Sequence, residues 1–213
     1  MAKLQLALDE DLPSALSVLT AVHPHIDIAE IGTPLVFREG MKALRRIRGA
    51  YPQLTLTADL KIMDAGAAEA EIALEAGADI VTVMAVAADA TIEGALNSAG
   101  AHGKRVMVDM MQAADPRARA LELASMGCDL LCLHTAHDQQ GSLGSPYAQL
   151  AELREALPAI HLAIAGGVAL SDLERILPLK PQIIIVGSAI TSSADPGASA
   201  RQFQQRIRDY GHA

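Results

Sequence analysis

Residues 54–64 read LTLTADLKIMD. The stretch begins as a largely apolar run, the pattern of a strand covered on both faces. It then brings Asp59, Lys61 and Asp64 within six residues. Only 20% of the chain is charged, and burying an ionised group is costly unless it is paired or used. Asp59 and Lys61 are two apart, so a regular strand points both the same way. Asp64 falls beyond the strand. The stretch reads as a buried strand with charge at its C-terminal end, and whether other strands end likewise decides the fold.

Seven further apolar runs share the pattern: LQLALD (4–9), IDIAEIG (26–32), DIVTVMA (79–85), RVMVDMM (105–111), LLCLHT (130–135), HLAIAGG (161–167) and IIIVGSAI (183–190). Helical patterns lie between them. LPSALSVLTAV (12–22) sets Leu12, Leu16 and Leu19 on one face, and residues 39–51 group Met41, Leu44 and Ile47 before Pro52. Residues 68–79 and 120–129 stop at a Gly before an Asp and the next strand. Residues 89–104 open on Asp89 as a cap, and 145–157 open on Ser145 and Pro146 as cap and first helical position. Segments 171–177 and 195–210 complete the set. Alternating strands and helices in one uninterrupted chain predict an α/β fold, a single-domain (β/α)8 TIM barrel over 1–213. The rival is an open doubly wound sheet, which binds nucleotides through a Gly-rich first turn. Here that turn is LDEDLP, and neither GxGxxG nor GxxxxGK[ST] occurs.

Composition narrows the function. Apolar residues make up 51% but aromatics only 2%, with no Trp, against binding single-stranded nucleic acid by stacking. A net charge of −8 opposes binding along a phosphate backbone. The segment MAKLQLALDEDL lacks a signal-peptide pattern, and no run approaches the ~18 apolar residues of a membrane span. Two cysteines, Cys128 and Cys132, fit a reducing cytoplasm and read as structural thiols, since CxxxC matches no common zinc spacing.

A barrel places its active site at the C-terminal strand ends. There the sequence sets Asp9, Glu30, Asp59 with Lys61, Asp109, His134 with Thr135, Gly166 with Gly167, and Gly187 with Ser188. Glu30 and Asp59, on adjacent strands, are candidate metal ligands, since magnesium takes one or two carboxylates plus substrate oxygens. The competing reading is a salt-bridge cluster of Asp9, Asp59 and Lys61 that merely caps the barrel. AGG (165–167) and VGSAI (186–190) suggest a phosphate grip, helped by a helix N-terminus after the eighth strand; tight strand–helix turns are the alternative. Of seven histidines, His134 alone lies near the C-terminal end of a predicted strand, where it can move protons. His137 forms HxxH with it, a weak zinc signal. The polar, Gly-rich loop 138–146 reads equally as a lid or an ordinary surface loop.

These residues resemble a known family. ADLKIMD carries the DxKxxD motif of the orotidine 5'-monophosphate decarboxylase superfamily, within which the chain resembles the 3-hexulose-6-phosphate synthase family. The matching segments are KLQLALDE, IAEIGTPLVFREG, ADLKIMDAG, AGADIVTV, VMVDMM, HTAHDQQ, AIAGGV and IIVGSAITSSADP, spanning 3–196. The resemblance implies magnesium-dependent (or manganese-dependent) aldol joining of formaldehyde to the phosphosugar ribulose 5-phosphate through an enediolate. It implies catalytic roles for Lys61, His134, Asp64 and Asp9. It implies substrate contacts from Asp9, Thr33, Asp109, Gly166, Gly167, Gly187 and Ser188, with Glu30 and Asp59 on the metal. Lys61 is expected to stay protonated between Asp9 and Asp64. The resemblance also implies a homodimer in which Asp64 reaches the partner's site. The nearest alternative, 3-keto-L-gulonate-6-phosphate decarboxylase, typically has an arginine after the last strand's glycine and another after the histidine. Ser188 and HTAHDQQ depart from that.

Overall fold

Each apolar run becomes a strand, and the strands pair in chain order. The computed structural model describes residues 1–139 and 146–211. The strands are β1 (Lys3–Leu8), β2 (Ile28–Ile31), β3 (Thr55–Ile62), β4 (Ile80–Met84), β5 (Arg105–Asp109), β6 (Leu130–His134), β7 (His161–Ala165) and β8 (Ile183–Val186). All pair in parallel, and β1 pairs with β8 from Lys3↔Ile183 to Leu6↔Val186, which closes the barrel. The helices are α1 (Leu12–Val22), α2 (Thr33–Glu39), α3 (Met41–Ala50), α4 (Gly66–Glu75), α5 (Asp89–Ala101), α6 (Pro116–Ser125), α7 (Tyr147–Ala156), α8 (Leu173–Ile176), α9 (Ser188–Thr191) and α10 (Pro196–Gly211). This is the expected single-domain (β/α)8 TIM barrel. Among the described residues no helix is long and apolar enough to cross a membrane.

Strand alternation divides the interior into two cores. Leu4, Leu6, Leu8, Leu56, Val81 and Val83 face outward and pack with the helices. Leu44 and Ile47 of α3 are both buried there; fully burying such side chains contributes about 1.5–3 kcal/mol each. Ile28, Ile80, Met107, Leu130, Cys132, Ala163 and Ile183 form a separate cluster, which alternation places in the barrel's lumen. Four lumen rows turn polar above their apolar base: Ile28 then Glu30, Ile80 then Thr82, Met107 then Asp109, Cys132 then His134. Both cysteines are free and buried. Burial pushes the Cys128 thiol up to about 11 and Cys132 well above its usual value, so neither is poised to react.

At the opposite end, side chains just before even strands secure odd ones. The Asp27 carboxylate accepts from the Leu4 N–H at 2.8 Å, Asp79 from Leu56 at 2.9 Å, and the Gln182 amide oxygen from Leu162 at 2.7 Å.

Several element boundaries differ from the sequence reading. Residues 33–39 form α2, between Gly32 as N-cap and Gly40 at φ 56°; two glycines fence off a helix too short to show periodicity. The eighth strand ends at Val186 rather than 190, because Gly187 turns the chain into α9. Asp89 is the first residue of α5 rather than its cap, which is Ala88. Helix α6 begins earlier than expected, where Asp115 caps it by accepting from the Ala118 N–H at 2.9 Å. Pro146 is the N-cap of α7, and Ser145 lies outside the described residues, as does most of the 138–146 loop.

Candidate active site

The C-terminal strand ends enclose a cavity of about 720 Å³, lined by residues from or just beyond all eight strands. Asp9, Glu30, Thr33, Asp59, Lys61, Asp109, His134, Gly166, Gly167, Gly187 and Ser188 all line it. Asp64 does not: it is exposed, and its Oδ1 accepts from the Ala65 N–H at 2.7 Å. The rim residues thus surround an open pocket, which a mere salt-bridge plug would fill.

The centre of the site is a bulge. Ala58 pairs with Val81 but Ile62 pairs with Val83, so β3 spends four residues where β4 spends two. Lys61 takes φ 50°, a left-handed conformation that costs a non-glycine residue roughly 1–2 kcal/mol. Its N–H has no regular ladder partner here and donates to Thr82 Oγ1 at 2.9 Å, while that hydroxyl donates to Asp59 Oδ1 at 2.8 Å. Asp59 and Lys61 do converge, as their spacing predicted, but through this irregularity and not through an even pleat. Lys61 Nζ bonds directly to Asp59 Oδ2. The Thr33 hydroxyl lies 2.8 Å from both the Asp59 carbonyl and Oδ2, so it braces the carboxylate from the α2 side.

Lys61 Nζ also lies 3.9 Å from Asp109 Oδ2, and that oxygen is 2.8 Å from His134 Nδ1. Asp109 Oδ1 accepts from the Met111 N–H at 2.9 Å. The result is a ladder of alternating charge, Asp59–Lys61–Asp109–His134, across β3, β5 and β6. It explains the titration directions. Burial pulls Lys61 down, but the Asp59 and Asp109 carboxylates outweigh it, and the ammonium is held above its usual value. Burial likewise pulls His134 down, and its Asp109 hydrogen bond and charge reverse this to a net rise. Asp59 is raised by burial but lowered further by Lys61, Thr33 and Thr82, for a net fall. Asp9 is raised, first by burial and then by Asp59. The acids that keep Lys61 protonated are therefore chiefly Asp59 and Asp109; Asp64, expected in that role, faces solvent. Asp109, expected on the substrate, has both oxygens engaged and reaches the pocket beside His134.

Glu30 lies beside this ladder, almost fully buried. Burial, then the Asp59 charge, push its carboxyl up to about 8. A carboxyl whose ionisation is opposed by burial and by a neighbouring carboxylate fits a divalent cation, which would relieve it. Among the described residues no group of three or more His, Cys, Asp or Glu could hold a metal ion. A cation here would need substrate or water oxygens, the habit of magnesium. The HxxH spacing builds no zinc site: His137 is almost fully exposed and its nearest acid is Asp138, while His134 turns to Asp109.

The glycine turns face this machinery across the pocket. Gly166 and Gly167 have φ 96° and 72°, and a Cβ on Gly166 would sit 2.3 Å from the Thr135 carbonyl. Gly32 makes room for an acid: its Cβ would lie 2.0 Å from Asp9 Oδ1. Arg38 on α2 donates to the Asp9 carbonyl at 2.5 Å.

Sequence reasoning missed Gln5, Thr57, Thr82 and Arg38. Gln5, Thr57 and Thr82 were polar residues inside apolar runs, which is the signal that could have found them; Arg38 sits on the unforeseen helix.

A family model described as Orotidine 5'-phosphate decarboxylase / HUMPS family matches residues 2–203. A 3-hexulose-6-phosphate synthase of Bacillus subtilis (strain 168) is 42% identical over 206 residues, covering 96% of this chain and 98% of the relative. Among solved structures, 3-hexulose-6-phosphate synthase from Salmonella typhimurium superposes with TM-score 0.95 at 40% identity, covering 98% of this chain and 99% of that one. A 3-keto-L-gulonate-6-phosphate decarboxylase from Vibrio cholerae superposes with TM-score 0.88 at 28% identity, with 98% of each chain covered.

Proposed function

Because the chain belongs to the Orotidine 5'-phosphate decarboxylase / HUMPS family, we propose that it is a lyase of the aldolase type that joins formaldehyde to ribulose 5-phosphate, and performs the reverse. The observation that carries this reading is the Asp59–Lys61–Asp109–His134 ladder lining one pocket with Glu30 and the glycine turns.

The sugar's phosphate is taken by the turns at Gly166–Gly167 and Gly187–Ser188, where backbone N–H groups can approach an anion closely. That seats the carbonyl end over Glu30 and Asp59. Magnesium (or manganese) held by these two carboxylates would supply Lewis-acid stabilisation of negative charge on the sugar's oxygens. His134 has Nδ1 committed to Asp109, which leaves Nε2 as the nitrogen that takes the carbon-bound proton. The electron pair moves into the enediolate, and the Lys61 ammonium stands beside that charge. The enediolate carbon then bonds to formaldehyde's carbon, and the new alkoxide takes up a proton. Lys61, kept protonated by two acids, is a poor amine nucleophile, so the reaction needs no Schiff base. Asp9 lies at the mouth for substrate hydroxyls. Asp64 is read as serving a second copy's site in a homodimer, a reading supported by its exposure beside the exposed Met63.

The test is consumption of formaldehyde by the purified chain with ribulose 5-phosphate. Turnover should vanish with EDTA and return with magnesium, and K61A should lose about two orders of magnitude or more. Borohydride trapping of the sugar on Lys61 would contradict the route. Decarboxylation of 3-keto-L-gulonate 6-phosphate without formaldehyde consumption would replace it with the decarboxylase reading.

A further inference from the structure

Beneath the ladder runs a polar column that the reaction does not use. Gln5 and Thr57 are wholly buried in the lumen rows of β1 and β3. Glu30 lies between them on β2: its Cα register partners are Ala7 on one side and Thr57 on the other. Gln5 Nε2 donates to Glu30 Oε2 at 3.0 Å, and the Thr57 hydroxyl donates to Gln5 Oε1 at 3.4 Å.

A buried amide is costly unless hydrogen-bonded, and a Leu or Met would fill that volume without the cost. Among the described residues, both hydrogen bonds of the Gln5 side chain lie on this column, so the amide's retention is tied to Glu30. The two ends of the amide are not equivalent. The Glu30 oxygen takes the nitrogen end, and the Thr57 hydroxyl donates to the oxygen end and holds the amide in that orientation. Glu30 Oε2 is thus bound from below, from inside the barrel, and Oε1 is left to the cavity.

We infer that Gln5 is a positioning residue: its amide, keyed by Thr57, fixes the direction in which Glu30 presents its carboxylate to the pocket. The inference rests on the metal reading of Glu30 above. Partners that orient a metal ligand are typically worth 10–100-fold in metal affinity.

The experiment is titration of the full chain with Mn²⁺, followed by electron paramagnetic resonance, for wild type, Gln5→Met, Gln5→Leu and Thr57→Val. Folding is checked by circular dichroism, and inorganic phosphate binding is measured separately as a readout of the glycine turns. The expected result is Mn²⁺ affinity about 10–100-fold weaker in folded Gln5→Met or Gln5→Leu, with phosphate affinity unchanged. Mn²⁺ affinity within twofold of wild type in either folded variant overturns the inference. Equal loss of Mn²⁺ and phosphate binding marks a collapsed pocket and also overturns it. Should neither Gln5 variant fold, Thr57→Val decides: weakened Mn²⁺ binding supports the keyed amide, and unchanged binding refutes it. Wild type that binds no Mn²⁺ removes the metal reading itself, an outcome distinct from a failure confined to the variants.

Discussion

Replacing Thr82 by Val isolates the bulge. The two side chains have nearly the same shape, so no cavity opens, but two hydrogen bonds go. One is the hydroxyl's 2.8 Å bond to the Asp59 carboxylate, and the other its 2.9 Å bond from the Lys61 N–H. A hydrogen bond to a charged group contributes about 1.5–3 kcal/mol, and a buried N–H left unpaired costs about 1–3. The Lys61 amide borders the open pocket, and water can recover part of this, so the net expectation is a loss of about 2–4 kcal/mol. For a domain of this size that lowers the melting temperature by roughly 4–16 °C. The left-handed Lys61 also loses its restraint, and misplacing a catalytic group by ~1 Å costs about 10²-fold in rate. Thermal unfolding by circular dichroism and the formaldehyde assay measure the two effects. Thr82→Ser is the control: it keeps the hydroxyl and sheds a methyl, worth about 1 kcal/mol. If T82V and T82S match in melting temperature and in turnover, the hydroxyl does not hold the bulge.

Three further substitutions probe the site and the frame. His134 is held above its ordinary value, so its contribution to stability is fully present below about pH 6.5 and is lost as pH rises through its folded pKa. Asp109→Asn should flatten that part of the stability profile and bring down the NMR titration midpoint of the His134 ring; an unmoved midpoint would mean Asp109 is not the cause. Gly66→Ala should destabilise by about 1–3 kcal/mol or more, because its Cβ would lie 1.8 Å from the Thr91 carbonyl where α4 meets α5. Gly49→Ala, exposed on α3 with nothing within 4 Å, should instead stabilise by about 0.5–1 kcal/mol. Chemical denaturation of both variants compares the signs.

The strands were legible because parallel strands covered on both faces leave continuous apolar runs, and their polar ends marked the rim. Asp59 and Lys61 could be placed together from their spacing, although the bulge that unites them could not. It depends on Thr82, a residue of another strand, and on a backbone conformation that no pattern at Lys61 announces. The pairing of Asp109 with His134 was hidden for a similar reason: it arises only when β5 and β6 align Asp109 with Cys132, two residues short of the histidine. Helix α2 escaped because seven residues are too few for a periodic stripe.

The two separate cores also set which changes the protein can accumulate. Outer-core residues such as Leu44 and Ile47 of α3 and Leu56 of β3 pack between helices and strands, and exchanging them alters how tightly the shell grips. Lumen residues such as Ile28, Met107 and Cys132 form the floor on which Glu30, Asp109 and His134 stand. A lineage adapting to a warmer habitat can therefore rebuild the outer layer while leaving the geometry of the candidate site intact. The lumen is the part that should drift least, because there each volume change is transmitted along a strand directly to a side chain of the candidate site.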